Sequence, residues 1–179
     1  MTSASVFDLV SGAATAEGVR CILIGGFAVN FYKVTRQTTD VDFLIAKEDF
    51  ERMLPRLEAA GYGRFSSHEN FVQLTNARQS LWDIDFMFVD METIAKIENE
   101  GQRIHIAKNE FTVPSLNHLI ALKLHAIKSN SKYRYMKDFV DIVDLIRMNE
   151  LDPAQDGFAA LCATHGPEGI HARILELTQ

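Results

Sequence analysis

The nine residues 81–89, LWDIDFMFV, constrain the fold of this chain more than any other stretch. Trp82, Ile84, Phe86 and Phe88 alternate on one face of an extended segment. Leu81, Met87 and Val89 share the other face with Asp83 and Asp85. A strand that is apolar on both sides belongs in the middle of a sheet with cover on both faces. Trp82 is read as part of that core. An acid embedded in such a strand needs a partner, because an isolated buried charge is very costly.

The remaining pattern supplies that cover. Helical spacing is read over 4–18, where Val6, Leu9, Val10 and Ala13 line up, over 27–33, and over 47–60 before the C′ glycine Gly61. Short strands are expected at 20–24 and 40–45. A β-rich stretch has 62–66 and 70–75 pairing across Ser67-His68-Glu69, and 102–107 and 110–113 pairing across Lys108-Asn109. Asp90 is read as the N-cap of a helix over 90–99. From Pro114 onward the pattern is helical, over 115–129, 134–148, 154–163 and 168–177. The class is α+β: a mixed sheet with flanking helices, then a C-terminal helical cluster.

Residues 23–45, LIGGFAVNFYKVTRQTTDVDFLI, carry the chemistry. A strand runs into Gly25-Gly26 and then a helix. Two glycines allow close backbone approach to a ligand, and a helix start behind them suits a phosphate. The same pair also suits a plain tight turn. Asp40-Val41-Asp42 then opens a strand, so both carboxylates point to one face. That pair is harmless on an exposed edge. It also suits Mg²⁺, which takes carboxylate oxygens and bridges to substrate phosphates. A third acid from 81–89 would complete a cluster for in-line phosphoryl or nucleotidyl transfer.

These segments resemble the minimal nucleotidyltransferases of the DNA polymerase beta-like superfamily. Gly25-Gly26 is followed by thirteen residues and then by Asp-x-Asp. More narrowly, Arg36-x-Thr38-x-Asp40-x-Asp42 looks like the corresponding run of the AbiEii-type abortive-infection toxins. Ile84-Asp85-Phe86 looks like the third carboxylate of the superfamily, with Asp83 as its alternate. The segments 119–126 (LIALKLHA) and 137–142 (KDFVDI) are similar to the Lys and Lys-Asp-x-x-Asp-Ile elements of the same group. One departure is Lys33, where many relatives carry glycine.

The resemblance implies a nucleotidyltransferase core over 1–113 and a helical region over 114–179, packed on it as one compact unit. It implies catalytic and metal-binding roles for Asp40, Asp42 and Asp85. It also implies nucleotide-binding roles for Gly25, Gly26, Arg36, Thr38, Lys123, Lys137 and Asp138. The cofactor is Mg²⁺, with Mn²⁺ as the substitute. The activity is NMP transfer from an NTP to an acceptor hydroxyl on RNA such as a tRNA end, on a protein, or on a small molecule. The other reading is an inactive member acting as a binding or regulatory protein, with a cognate toxin or antitoxin or a second copy of itself as partner.

The residues themselves leave several roles open. Lys123 shares an apolar stripe with Leu116, Leu119, Ile120 and Ile127, so it either snorkels or meets an anion. Lys137 and Asp138 are read on the polar side of the next helix, behind a core stripe of Phe139, Ile142, Val143 and Ile146. Asp141 is four residues from Lys137, at pairing distance. Arg36 is either a phosphate contact or a partner for Asp40. Tyr133 and Tyr135 flank Arg134, where stacking on a base is one role and packing against the helices the favoured one.

Charge and composition narrow the rest. The net charge of −6 opposes non-specific nucleic-acid binding, yet 111–137 carries five basic residues and no acid. Cys21 and Cys162 lie far apart and the histidines are scattered, so neither a disulfide nor a zinc site is expected, and a cytoplasmic location fits. No secretory signal and no membrane span is read from the chain.

Overall fold

The computed structural model describes residues 4–77, 81–129 and 132–178. The side chains of Lys132, Tyr133 and Arg134, including the reading of Tyr133 as a packing residue, lie outside the described residues. The chain divides into two compact units, Met1–Ala28 with Gln37–Ser115, and Val29–Arg36 with Leu116–Gln179.

The first unit is built on a seven-stranded mixed sheet. Its strands are β1 (Cys21–Leu23), β2 (Asp40–Ile45), β3 (Tyr62–His68), β4 (Phe71–Asn76), β5 (Asp83–Phe88), β6 (Gln102–Ile106) and β7 (Asn109–Val113). The order across the sheet is β3-β4-β5-β2-β1-β7-β6. β2 runs parallel to β5 and antiparallel to β1, while β1 runs parallel to β7. The apolar segment 81–89 thus supplies an interior strand, as its two-sided hydrophobicity requires.

Val41, Phe43, Ile84 and Phe86 are fully buried on one face. Helices α1 (Val6–Glu17) and α3 (Lys47–Ala59) supply its apolar cover, and α4 (Met91–Glu100) links β5 to β6. Phe50 of α3 lies 5.1 Å from the Phe86 ring, and Phe7 of α1 lies 5.8 Å from Phe111. α1 begins with a capping box: Ser5 Oγ accepts from Asp8 N–H, and the Asp8 carboxylate accepts from Ser5 N–H at 2.9 Å.

The structure departs from the sequence pattern at three places in this unit. The β3–β4 turn falls at 69–70, later than Ser67-His68-Glu69, because pairing continues to His68 opposite Phe71. The β6–β7 turn falls at 107–108, with Asn109 already in β7. Trp82 is 47% exposed and outside the core. β5 begins only at Asp83, so the alternation that buries Ile84 does not extend back to Trp82. Its ring instead lies 5.5 Å from Phe27 and 6.4 Å from Phe7.

The second unit holds α5 (Leu116–Ser129), α6 (Lys132–Met148), α7 (Asp156–His165) and α8 (Ile170–Thr178). Leu119, Ile120, Leu124, Phe139, Ile142, Leu145, Ile146 and Ile174 are buried in it. Tyr135 stacks on Phe139 at 5.5 Å. Helix α2 (Gly25–Phe31) begins in the first unit and runs into the second, where Lys33 in the turn after it adopts φ 66° and donates its N–H to Asn30 O at 3.1 Å. Glycine adopts this left-handed conformation without the steric cost a lysine Cβ brings. Lys33→Gly is expected to stabilise the unit by about 0.5–1 kcal/mol, the strain relieved less the entropy of glycine. Urea unfolding would show it as a higher midpoint at constant slope.

Candidate active site

The parallel pairing of β2 and β5 sets Asp40 beside Asp83 and Asp42 beside Asp85. Registered residues share a face, so four acids line one side of two interior strands. Their oxygens are not equivalent. Those of Asp40, Asp42 and Asp85 lie within 4.8 Å of one another, and Asp83 is outside the group. Asp83 instead faces Tyr62, whose phenol is pushed up to about 12 by burial and then by the Asp83 charge.

The glycine pair makes room for this cluster. Gly25 adopts φ 60°, and a Cβ there would overlap the Asp42 carboxylate and lie 2.7 Å from Asp42 Cβ. A Cβ on Gly26 would lie 2.7 Å from both Cβ and Oγ1 of Thr38. Ile24 N–H donates to Asp42 O at 2.9 Å, tying the end of β1 to the strand that carries the acids. Thr38 Oγ1 donates to Asp40 Oδ1 at 2.8 Å and lies 3.1 Å from Asp40 O.

Two unit charges 4.8 Å apart repel by about 3.5 kcal/mol at an effective dielectric constant near 20. Three such carboxylates, with Asp85 only 4% exposed, form a donor set of the kind that holds a divalent cation. All the donors are hard oxygens, which suits Mg²⁺ or Mn²⁺ and not a soft thiophilic metal. Among the described residues this is where three or more acid, His or Cys ligands converge. Asp42 and Asp85 take part in further interactions within the chain.

The second unit carries its own charged cluster. Lys123 Nζ donates to Asp138 Oδ1 at 3.0 Å and to Asp141 Oδ2 at 2.5 Å. Arg36 Nη1 donates to the same Asp141 oxygen at 2.6 Å. Lys123, Asp138 and Asp141 are 6%, 7% and 4% exposed, and the four formal charges cancel. The snorkelling alternative for Lys123 is thereby removed, because its ammonium meets two anions. Asp138 is buried, not on the polar side of α6. Asp141 pairs with Lys123 and Arg36 instead of Lys137, which is exposed. A buried carboxylate is stabilised far more by buried cations than by a solvated i,i+4 lysine. Arg36 likewise takes Asp141, not Asp40, as its ion partner. The sequence reading missed Asn30. Its Oδ1 accepts from Arg36 N–H at 2.9 Å and its Nδ2 donates to Arg36 O at 3.0 Å, clamping that peptide. No periodicity marks such a residue, since both partners lie in a short helix end and the loop after it.

Solved structures share this architecture. The solution structure of the antibiotic-resistance factor ANT(2'')-Ia is similar at a TM-score of 0.56 and 14% identity, covering 89% of this chain and 96% of that one. The lincosamide antibiotic adenylyltransferase LnuA, lincomycin-bound, is similar at 0.53 and 15%, covering 78% and 93%. An antigenic nucleotidyltransferase-like protein from Paracoccidioides brasiliensis is similar at 0.55 and 14%, covering 89% and 84%. The fold is that of the nucleotidyltransferases.

The family model described as "Nucleotidyl transferase AbiEii toxin, Type IV TA system" matches residues 8–178. The chain belongs to this AbiEii nucleotidyltransferase toxin family and is an enzyme of the nucleotidyltransferase class. No curated protein sequence matches it. No helix among the described residues is long and apolar enough to cross a membrane.

Proposed function

We propose that this enzyme moves an NMP from an NTP to an acceptor hydroxyl in a Mg²⁺-dependent in-line transfer, the acceptor oxygen bonding to the α-phosphorus as the bond to the leaving pyrophosphate breaks. The observation that carries the reading is the convergence of Asp40, Asp42 and Asp85 oxygens within 4.8 Å. These three side chains would hold Mg²⁺, or Mn²⁺ in its place. The ion supplies charge neutralisation at the phosphates and Lewis acidity. Asp85, the most buried of the three, would also orient the acceptor hydroxyl and take up its proton. Gly25 and Gly26 would let the triphosphate approach the backbone. Thr38 is assigned to the nucleotide site with them. In the second unit Arg36, Lys123, Lys137 and Asp138 are assigned to nucleotide binding. Lys137 offers an exposed ammonium, and the other three belong to the charge-balanced cluster with Asp141.

The acceptor class is a tRNA end, a protein or a small molecule, and the toxin family points to a cellular target with a cognate antitoxin as partner. We place the activity in the cytoplasm, where NTPs and Mg²⁺ are abundant. The test is calorimetric titration of each NTP with and without Mg²⁺, using Asp40→Asn/Asp42→Asn as the control. Metal-dependent binding lost in the double variant is the expected result. It would be followed by a screen of tRNA, protein and aminoglycoside-like acceptors with labelled NTP. Absence of binding to every NTP would replace this reading with a non-catalytic, partner-binding role.

A further inference from the structure

We infer that Thr38 is a positioning residue: its hydroxyl fixes the rotamer of Asp40 and so presents that carboxylate to the divalent cation. The inference rests on the metal-site reading above and goes beyond it in assigning Thr38 a role without contact to metal or phosphate. A threonine hydroxyl has one proton to donate. The shorter of its two contacts runs to Asp40 Oδ1, at 2.8 Å against 3.1 Å for Asp40 O. That bond occupies one lone pair of Oδ1 and leaves the remaining lone pairs of the carboxylate for a cation.

Asp40 needs such support more than Asp42 or Asp85. It is the first residue of β2 and follows an irregular segment, so the strand fixes its backbone on one side only. Asp42 lies inside the ladder with its carboxylate against Gly25, and Asp85 is buried mid-sheet. Thr38 is itself held in place. It sits against the buried Gly26, where a Cβ would come 2.7 Å from Thr38 Cβ and Oγ1. Gly26 is therefore the space that Thr38 occupies, which gives this glycine a role separate from phosphate binding. Groups that hold a metal ligand by its outer hydrogen bond typically change metal affinity by about 10–100-fold when removed.

The experiment is Mn²⁺ titration of the full chain, without nucleotide, followed by electron paramagnetic resonance of the free ion. Thr38→Val keeps the shape and removes the hydroxyl, while Thr38→Ser keeps the hydroxyl and removes the methyl. Mn²⁺ affinity is expected to fall about 10–100-fold in Thr38→Val and to stay within about threefold of wild type in Thr38→Ser. Gly26→Ala, which displaces Thr38 sterically, is expected to follow Thr38→Val. If Thr38→Val does not fold, Thr38→Ala carries the same expectation. Equal Mn²⁺ affinity in wild type and Thr38→Val would overturn the inference and leave the metal site standing. Equal losses in Thr38→Val and Thr38→Ser would also overturn it, because packing and not the hydroxyl would then matter. A wild type that binds no Mn²⁺ would overturn the metal-site reading itself, and this inference with it.

Discussion

Asp85→Asn is expected to weaken Mg²⁺-dependent NTP binding on the order of 10²-fold, a loss of about 2.7 kcal/mol. The same substitution is expected to make the metal-free protein more stable, by about 1–2 kcal/mol. Both effects have one cause. Asp85 is one of three carboxylates whose oxygens lie within 4.8 Å of one another, and without a cation they repel. Removing one charge relieves two of the three pairs. Water on the half-exposed side, beside Asp40 and Asp42, keeps the gain well below the full Coulomb sum. Asparagine keeps the shape and can still accept a hydrogen bond, so the sheet is preserved. Urea unfolding in EDTA reads the gain, and calorimetry in Mg²⁺ reads the loss. A variant that binds NTP and Mg²⁺ like wild type would remove Asp85 from the metal site. Opposite signs for stability and ligand binding are the signature of a functional site, as distinct from a structural ion pair.

Asp141→Asn is expected to destabilise the helical unit by about 3 kcal/mol, at the lower end of what breaking a buried ion pair costs. Asp141 is the hub of its cluster, since one of its oxygens takes both Arg36 at 2.6 Å and Lys123 at 2.5 Å. Its removal leaves two cations facing Asp138 alone. Arg36 is the more exposed of the two and recovers some hydration, which sets the estimate at the low end. The sole tryptophan, Trp82, belongs to the first unit, so its fluorescence would not report this loss. Amide hydrogen exchange along α5 and α6 does report it, as a drop in protection confined to those helices. A loss below about 1 kcal/mol would mean that the cluster is not the buried network its exposures describe.

Much of this was legible in the sequence because it rests on local rules. The alternation of 81–89 marked an interior strand, and β5 takes that place. Asp90 was read as a helix cap, and its carboxylate accepts from Thr93 N–H at 2.7 Å, which holds it below the usual carboxylate range. Gly61 was read as a C′ glycine, and it adopts φ 93°. The spacing in Asp40-Val41-Asp42 put two acids on one face through the period of a strand. The resemblance then supplied the third acid, which lies some forty residues away.

What escaped the sequence depends on which surfaces meet. Lys137 sits four residues before Asp141, so local spacing pointed to that pair. The fold gives Asp141 to Lys123 and Arg36, which are 18 and 105 residues away. Helical spacing says which side chains share a face, but not whether that face is solvated, and burial decides which pairing wins. Trp82 was misread for the same reason. Alternation tells one side of a strand from the other, yet only the pairing of neighbours tells where the strand begins. Gly25 and Gly26 showed as glycines in the sequence, but the side chains that fill their empty space, Asp42 and Thr38, were set by the sheet register. The sequence by itself therefore determined the order of the elements, the face that Asp40 and Asp42 share, and the family. The tertiary structure alone decided the partners of each charge, because strand register and burial arise from contacts between segments far apart along the chain.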